Sequence, residues 1–520
     1  MGNAAATEGL TAYRRTVDAL RREVRADPWY PRYHLAAPFG AAGDTHPIHA
    51  GGRYHLTYQH SYSPDFRAMP GPCQWGHVAS ADLVTWTHYP PALTSPEHGV
   101  AADRHLWSGN LIAHEGKVYA FYTIENRDVY LAVSDGEDLQ GFRAHHANPV
   151  ATLPANHEDL GIPYDPERAD EHLMGMRDPW VWRDGDGFLM SVGSGRRGKA
   201  GSLVLLFESS DLYEWRYRGI LWSADDPERE GIYFECPCVW PLDDGRHLLS
   251  NLAHRQYMVG TIRDGRFVEE RRGFADHGHN FLVSVLTRDD AGRLFMWGWI
   301  PDKQRRTQDP DIRWSGVFTV PRQFIPNPQG TFDVVPAREI TALRRNHRRW
   351  ADRTFAVGEV CELGVLGSSV EIALAVDPGS PDDIEYKDFS CGLRIADGPF
   401  VCEVTYSTAD GQLRMLTPDN EYTAPVGLEA GAEVRLRVFV DASVLEVFAG
   451  DGVPMANRIY PPAPDRLAYH FFVRGAPIDS KHVVRLRYLD AWDLDGIDSG
   501  EDHFTERITP TAHYVRKGRD

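Results

Sequence analysis

The sequence is short of positive charge, of cysteine and of helical periodicity. Its 520 residues carry 55 Lys and Arg against 74 Asp and Glu, a net charge of −19. That balance argues against nucleic acid as a partner, because Lys and Arg supply affinity for the phosphate backbone. It also disfavours an acidic substrate unless a local basic pocket overrides the average. Only six cysteines occur, Cys73, Cys236, Cys238, Cys361, Cys391 and Cys402, with no CxxC pair. Two residues apart on a strand, Cys236 and Cys238 share a face, and that geometry does not readily close a disulfide. The set reads as reduced thiols, and the expected location is cytoplasmic. No apolar run is long enough to span a membrane, and the first 27 residues lack a signal-peptide core. Histidine is plentiful, yet no HExxH spacing appears, so neither a metal nor another cofactor is expected.

What is present is mostly strand and turn. Helical spacing is confined to Leu10, Tyr13, Val17, Leu20 and Val24, which predict a helical extension over residues 1–28. Short β-prone runs such as Tyr54–His60, Val118–Ile124 and Leu203–Glu208 follow, punctuated by Gly51-Gly52, Asp184-Gly185 and Asp264-Gly265, which are hairpin signals. One cassette recurs. Ser80-Ala81-Asp82-Leu83 precedes Trp86, Ser209-Ser210-Asp211-Leu212 precedes Trp215 at the same offset, and a weaker copy joins Ser134-Asp135 to Leu139 and Phe142. Self-similar strand-turn-aromatic units suggest propeller blades, and residues 29–340 are assigned to them. The basic run Arg344–Arg349 breaks the pattern, so 341–354 reads as a linker. A second all-β region, 355–495, has the patterning of a sandwich, and 496–520 is a polar tail, loosely ordered or draped over a neighbour.

Three carboxylates stand out in the first region: Asp44 before Thr45-His46-Pro47, Asp178 in Arg177-Asp178-Pro179, and Glu235 in Tyr233-Phe234-Glu235-Cys236-Pro237. Singly, each has a plain structural explanation as a turn residue or an ion-pair partner. Together they suit glycoside cleavage, which needs one ionised carboxylate and one that holds its proton near neutral pH. An apolar setting favours the protonated form, so Glu235 fits the acid and Asp44, among polar neighbours, the ionised partner.

Further motifs carry a resemblance. In chain order they are Tyr33-His34, Tyr54-His55-Leu56-Thr57-Tyr58-Gln59, Trp75-Gly76-His77 with Ser80 and Asp82-Leu83, and Asp103 with Trp107-Ser108-Gly109. Arg177-Asp178-Pro179, Glu235-Cys236-Pro237, Asp276–Phe281 and Pro321-Arg322 follow, and then Val440-Asp441 through Phe448. In that order the chain resembles glycoside hydrolase family 32, the invertase, inulinase, levanase and sucrose-6-phosphate hydrolase group. The resemblance implies an all-β fold, a five-bladed propeller followed by a sandwich. It also implies a two-step retaining mechanism with Asp44 as nucleophile, Glu235 as acid/base and Asp178 as transition-state stabiliser held by Arg177. It further places His46, Gln59, Trp75, Trp107, Ser108, Cys236 and His279 about the sugar.

One motif departs from the family. Its first signature carries an asparagine on either side of the catalytic Asp-Pro pair. Here the segment reads Gly43-Asp44-Thr45-His46, with both asparagines gone. The expected substrate is therefore a small carbohydrate with a β-fructofuranosyl or related furanosyl linkage: a sucrose-like sugar, a fructo-oligosaccharide or a difructose anhydride. The alternatives are a fructosyltransferase, including one that forms dianhydrides, and a non-catalytic sugar-binding protein. The N-terminal helix and the sandwich offer surfaces for a homo-oligomer.

Overall fold

The repeated cassette folds the same way in two blades. Asp82 and Asp211 each accept backbone N–H groups two and three residues ahead, at 3.0 and 2.7 Å in the first copy and 2.9 and 3.0 Å in the second. Trp86 and Trp215 each donate an indole N–H to the carbonyl of Leu83 and Leu212, both at 3.1 Å. Leu83, Leu212 and the matching Leu139 of the weaker copy all adopt positive φ, 67°, 70° and 58°. That conformation is costly for leucine. Burial of all three side chains offsets it. Each cassette is thus a side-chain-locked turn between the third and fourth strands of a blade.

The computed structural model describes residues 15, 17–63, 74–95, 105–124, 127–152, 173–196, 201–224, 231, 233–251, 255–302, 312–379, 388–429, 431–450, 452–475 and 483–503. Leu10, Tyr13, Cys73, Asp103 and the tail from 504 lie outside these. Five antiparallel blades follow one another. Blade I is Gly40–Ala50, Arg53–Ser61, Gln74–Ser80 and Trp86–Thr94, and blade II begins with Leu106–His114, Lys117–Ile124 and Asp128–Val133. Blade III is Leu173–Asp184, Gly187–Arg196, Ser202–Ser209 and Arg216–Ser223. Blade IV runs from Val239–Pro241 to Arg266–Phe274, and blade V from Leu282–Arg288 to Phe332–Pro336. The first strands of blades I to IV touch in succession, and that of blade V touches the first strand of blade I and the second strand of blade IV. The ring is closed where Trp314–Ser315 pairs in parallel with Gly40 and Ala41. Two six-stranded sheets beyond residue 343 form the sandwich, over a core of its own that includes Val370, Leu393, Val438 and Phe471.

One expectation changes here. The basic run read as a linker belongs to the edge strand Arg344–Ala356. It is accommodated there because its arginines meet carboxylates: Arg344 bonds Glu371 at 2.6 Å, Arg348 bonds Asp493 at 2.9 Å and Arg349 bonds Asp490 at 3.1 Å. The described part of the tail is a strand, Asp498–Asp502, lying parallel to the outer strand Trp86–Thr94 of blade I. Residues 17–25 are helical, and Arg25 pairs with Asp498 of that strand.

A buried ion network joins the two domains. His34 Nδ1 lies 2.9 Å from Asp441 and its Nε2 2.9 Å from Glu446, with all three side chains fully enclosed. Glu446 accepts Arg322 Nε at 3.1 Å, and Arg322 reaches Asp276 at 2.8 Å. Asp441 also caps the backbone N–H groups of Arg32, Tyr33 and His34, each at 2.8 Å. Several family-like motifs of the sequence, Tyr33-His34, Asp276–Phe281, Pro321-Arg322 and Asp441–Phe448, therefore meet at this seam.

Candidate active site

The first strands of four blades are interrupted near the axis. Register shifts fall at Ala42/Thr45 in blade I, Leu106/Gly109 in blade II, Arg177/Trp180 in blade III and Leu282/Val285 in blade V. A bulge removes a residue from the ladder and re-aims its side chain. Asp44, Ser108 and Asp178 occupy three of these bulges. Asp44 and Asp178 sit within the strands Gly40–Ala50 and Leu173–Asp184. Asp178 has φ 61°, a left-handed conformation held by its contacts.

Glu235 comes from the connection between blades III and IV. That segment is strapped to blade III: Phe234 N–H donates to Ser194 O at 3.0 Å and Tyr233 O–H to Gly193 O at 3.1 Å. A Cβ on Gly193 would stand 2.1 Å from the Phe234 carbonyl oxygen, so glycine is required for this approach.

These elements bring Asp44, Ser108, Gln59, Cys236, Asp178, Arg177 and Glu235 into one connected cluster. Gln59 Nε2 donates to Ser108 Oγ at 2.8 Å, and Ser108 donates to Asp44. Cys236 links Asp178 to Asp44, with its backbone N–H on Asp178 at 3.0 Å and its thiol 3.8 Å from Asp44. Burial, reinforced by the nearby carboxylates, raises the Cys236 thiol well above its ordinary value, so it stays a neutral S–H donor. Arg177 pairs with Glu235, lies 3.5 Å from Asp178, and stacks 4.6 Å over Tyr233. In the sequence Tyr233 is only an apolar flank of Glu235. Its position beside the Glu-Cys-Pro motif is the one available signal.

The electrostatics differ from the sequence expectation. Burial pushes Asp44 up to about 7, against the lowering hydrogen bond from Ser108 and with further raising by Asp178 and Glu235. Burial likewise raises Asp178, opposed by Arg177. Glu235 is not in an apolar sleeve, since its carboxylate meets Arg177 while neighbouring Phe234 turns into the core against Trp222. Three carboxyl groups therefore face the same cation, Arg177, and Asp44 is the one whose burial raises it furthest, to about 7.

The remaining predicted residues divide. His46 is 1 % exposed and stacks on Trp75 with ring centroids 4.0 Å apart, and both its ring nitrogens lack a hydrogen-bond partner. Burial lowers it to about 3, so the imidazole is neutral. Trp75 is fully buried and donates its indole N–H to Trp107 O at 3.3 Å, an under-layer beneath His46. Trp107 lies 5.9 Å from the Arg177 guanidinium. His279 is placed elsewhere: it stacks on Tyr422 of the sandwich, 5.3 Å between rings, beside a cavity that none of the three carboxylates lines. Among the described residues no three His, Cys, Asp or Glu side chains are grouped to hold a metal ion. No helix among them is long and apolar enough to cross a membrane.

Comparison with known proteins adds the following. The family model for the N-terminal domain of glycosyl hydrolases family 32 matches residues 34–331, and the model for the family's C-terminal domain matches residues 339–493. A sucrose-6-phosphate hydrolase of Klebsiella pneumoniae is 31% identical over 477 residues, covering 85% of this chain and 91% of its own length. Its Escherichia coli counterpart is 28% identical over 468 residues, covering 86% and 93%. Among solved structures, fructan 1-exohydrolase IIa from Cichorium intybus superposes with a TM-score of 0.73 at 22% identity, covering 91% of this chain and 98% of its own. That likeness supports the propeller-plus-sandwich architecture.

Proposed function

Given that the chain belongs to glycosyl hydrolase family 32, we propose that it is a retaining β-fructofuranosidase whose working groups are Asp44, Asp178 and Glu235. Asp44 attacks the anomeric carbon while Glu235 protonates the departing glycosidic oxygen, and a fructosyl ester forms on Asp44. Glu235, now ionised, takes a proton from water, which attacks the same carbon and releases Asp44. Asp178, fixed by the Cys236 N–H and faced by Arg177, accepts hydrogen bonds from sugar hydroxyls as charge develops on the ring.

The observation that carries this reading is the linkage of the carboxylates through Cys236 and Arg177, although they come from blade I, blade III and the connection to blade IV. A neutral substrate, a sucrose-like sugar or a fructo-oligosaccharide, is favoured over a phosphate ester, because Arg177 is already engaged by two carboxylates. Relatives named for sucrose-6-phosphate make the phosphorylated sugar the necessary comparison. The described cysteines are free, which supports a reducing, cytoplasmic setting.

The test is a product panel: sucrose, its 6-phosphate, inulin- and levan-type oligomers and difructose anhydrides, with Glu235→Gln and Asp44→Asn as controls. Free fructose from neutral donors is expected, with Glu235→Gln slower by a factor on the order of 10²–10⁴. New oligomers or dianhydrides in place of fructose would assign a transferase. Undiminished turnover by Glu235→Gln would remove Glu235 as the acid, and undiminished turnover by Asp44→Asn would remove Asp44 as the nucleophile.

A further inference from the structure

Arg177 is held by groups whose charge changes during the reaction. Its Nη2 pairs with Glu235 and its Nε lies 3.5 Å from Asp178. Both attractions need an ionised carboxylate. An arginine side chain has several rotatable bonds, so a guanidinium held by two carboxylates alone follows whichever of them is ionised. Tyr233 supplies a contact of a different kind. Its ring centroid lies 4.6 Å from the guanidinium carbon, whereas that of Trp107 lies 5.9 Å away. The second distance is at the limit of about 6 Å within which a ring face attracts a cation, and the first is well inside it.

Tyr233 is itself tied to the strand that pairs with Arg177. In the antiparallel ladder of blade III, Arg177 stands opposite Gly193. The Tyr233 hydroxyl donates to the carbonyl of that same Gly193 at 3.1 Å, and the next residue, Phe234, donates its N–H to Ser194 O at 3.0 Å. The Arg177–Gly193 pair of the ladder, the Tyr233 ring and the Arg177 guanidinium thus form a closed circuit. An aromatic face attracts the guanidinium whatever the charge on Glu235. Its hold persists in the state where the pair with Glu235 is weakest, when Glu235 carries the proton that it donates.

We propose that Tyr233 is a positioning residue for the cleavage reaction, one that keeps the Arg177 guanidinium in place while Glu235 passes between its protonated and ionised forms. This role rests on the function proposed above, since it needs Glu235 to change charge in each turnover.

Steady-state kinetics of Tyr233 variants test it, on whichever donor of the product panel is turned over fastest. Tyr233→Leu removes the aromatic face. Its kcat is expected to fall roughly tenfold, with KM changed less than about threefold. Arg177 lowers both Asp44 and Asp178, so the acidic limb of kcat/KM should also move to higher pH, a shift that lost packing alone does not produce. Tyr233→Met stands in should Tyr233→Leu fold poorly. Tyr233→Phe keeps the face and loses only the anchor to Gly193, so its acidic limb is expected to stay and its kcat to fall no more than about threefold. In an Arg177→Gln background Tyr233→Leu should cost nothing further, because it acts through Arg177. Wild-type kcat and pH profile in Tyr233→Leu, a Tyr233→Phe protein as impaired as Tyr233→Leu, or an undiminished further loss in the Arg177→Gln background overturns the proposal. A loss that Arg177→Gln cancels, found together with undiminished turnover by Glu235→Gln, upholds the hold on Arg177 and contradicts the catalytic reading of Glu235 instead.

Discussion

His46 shows how much one side chain can be asked to do. Its ring is enclosed against Trp75 with both nitrogens unmet, a cost on the order of 1–3 kcal/mol per orphaned group. It stands two residues from Asp44 in the same strand. His46→Phe keeps the stack and deletes the nitrogens. The thermal midpoint is expected to rise while KM for a furanosyl substrate increases. A fall in the midpoint would show that the nitrogens are already satisfied.

Asp44 gives the pH dependence its sign. The nucleophile proposed here must be ionised to attack, and burial holds this carboxyl up at about 7. kcat/KM is therefore expected to fall as pH drops through about 7. Ser108 donates to Asp44 and lowers it, so Ser108→Ala should move that acidic limb to higher pH. A limb that stays in place would remove Ser108 from the role. None of this was legible in the residues around Asp44, which are polar in sequence. The burial comes from blade II and from Cys236, both distant along the chain.

At the scale of elements, the turn cassettes were the most readable part of the chain. Their bonds are local, within six residues of Ser80 or Ser209, and local chemistry is what a sequence displays. Asp211→Ala removes acceptors for the Tyr213 and Glu214 N–H groups and is expected to cost about 1–2 kcal/mol in denaturant unfolding. Asp82→Ala in blade I should cost a similar amount. The pair should add, since the two turns share no partner. Strong non-additivity would contradict independent locking of the blades. The bulges that aim Asp44, Ser108 and Asp178 were not legible, because a bulge is a mismatch between two strands and neither strand records it alone. The strand Arg344–Ala356 was missed for a related reason: its arginines read as solvated until Glu371, Asp490 and Asp493 were seen opposite them.

For the whole molecule, the seam between domains is held by charge as well as by apolar packing. Breaking one member of a buried network strands its partners, which typically costs about 3–5 kcal/mol. Glu446→Gln is expected to destabilise on that order, with the two domains losing their joint unfolding transition. His34 sets the pH window. Burial alone would lower it, but Asp441 and Glu446 raise it to about 9. Its folded value lies above the unfolded one near 6.5, so its contribution is complete below pH 6.5 and is lost as pH rises through about 9. The thermal midpoint should decline across that interval, and His34→Gln should flatten the decline. Motifs that resemble a glycosidase signature thus include residues whose work is to fix the sandwich to the propeller. His279, expected beside the sugar, lies on that seam.

The covalent role proposed for Asp44 can be tested directly. β-Fructofuranosyl fluoride needs little acid assistance to depart, whereas release of the fructosyl group from the enzyme needs Glu235 as base. Glu235→Gln protein mixed with this donor and quenched in acid should gain the mass of one fructosyl unit, on the peptide that contains Asp44. The adduct should be absent when Asp44→Asn is added to the same protein. Release of fluoride and fructose with no adduct, or an adduct on any other residue, would contradict a retaining mechanism built on Asp44.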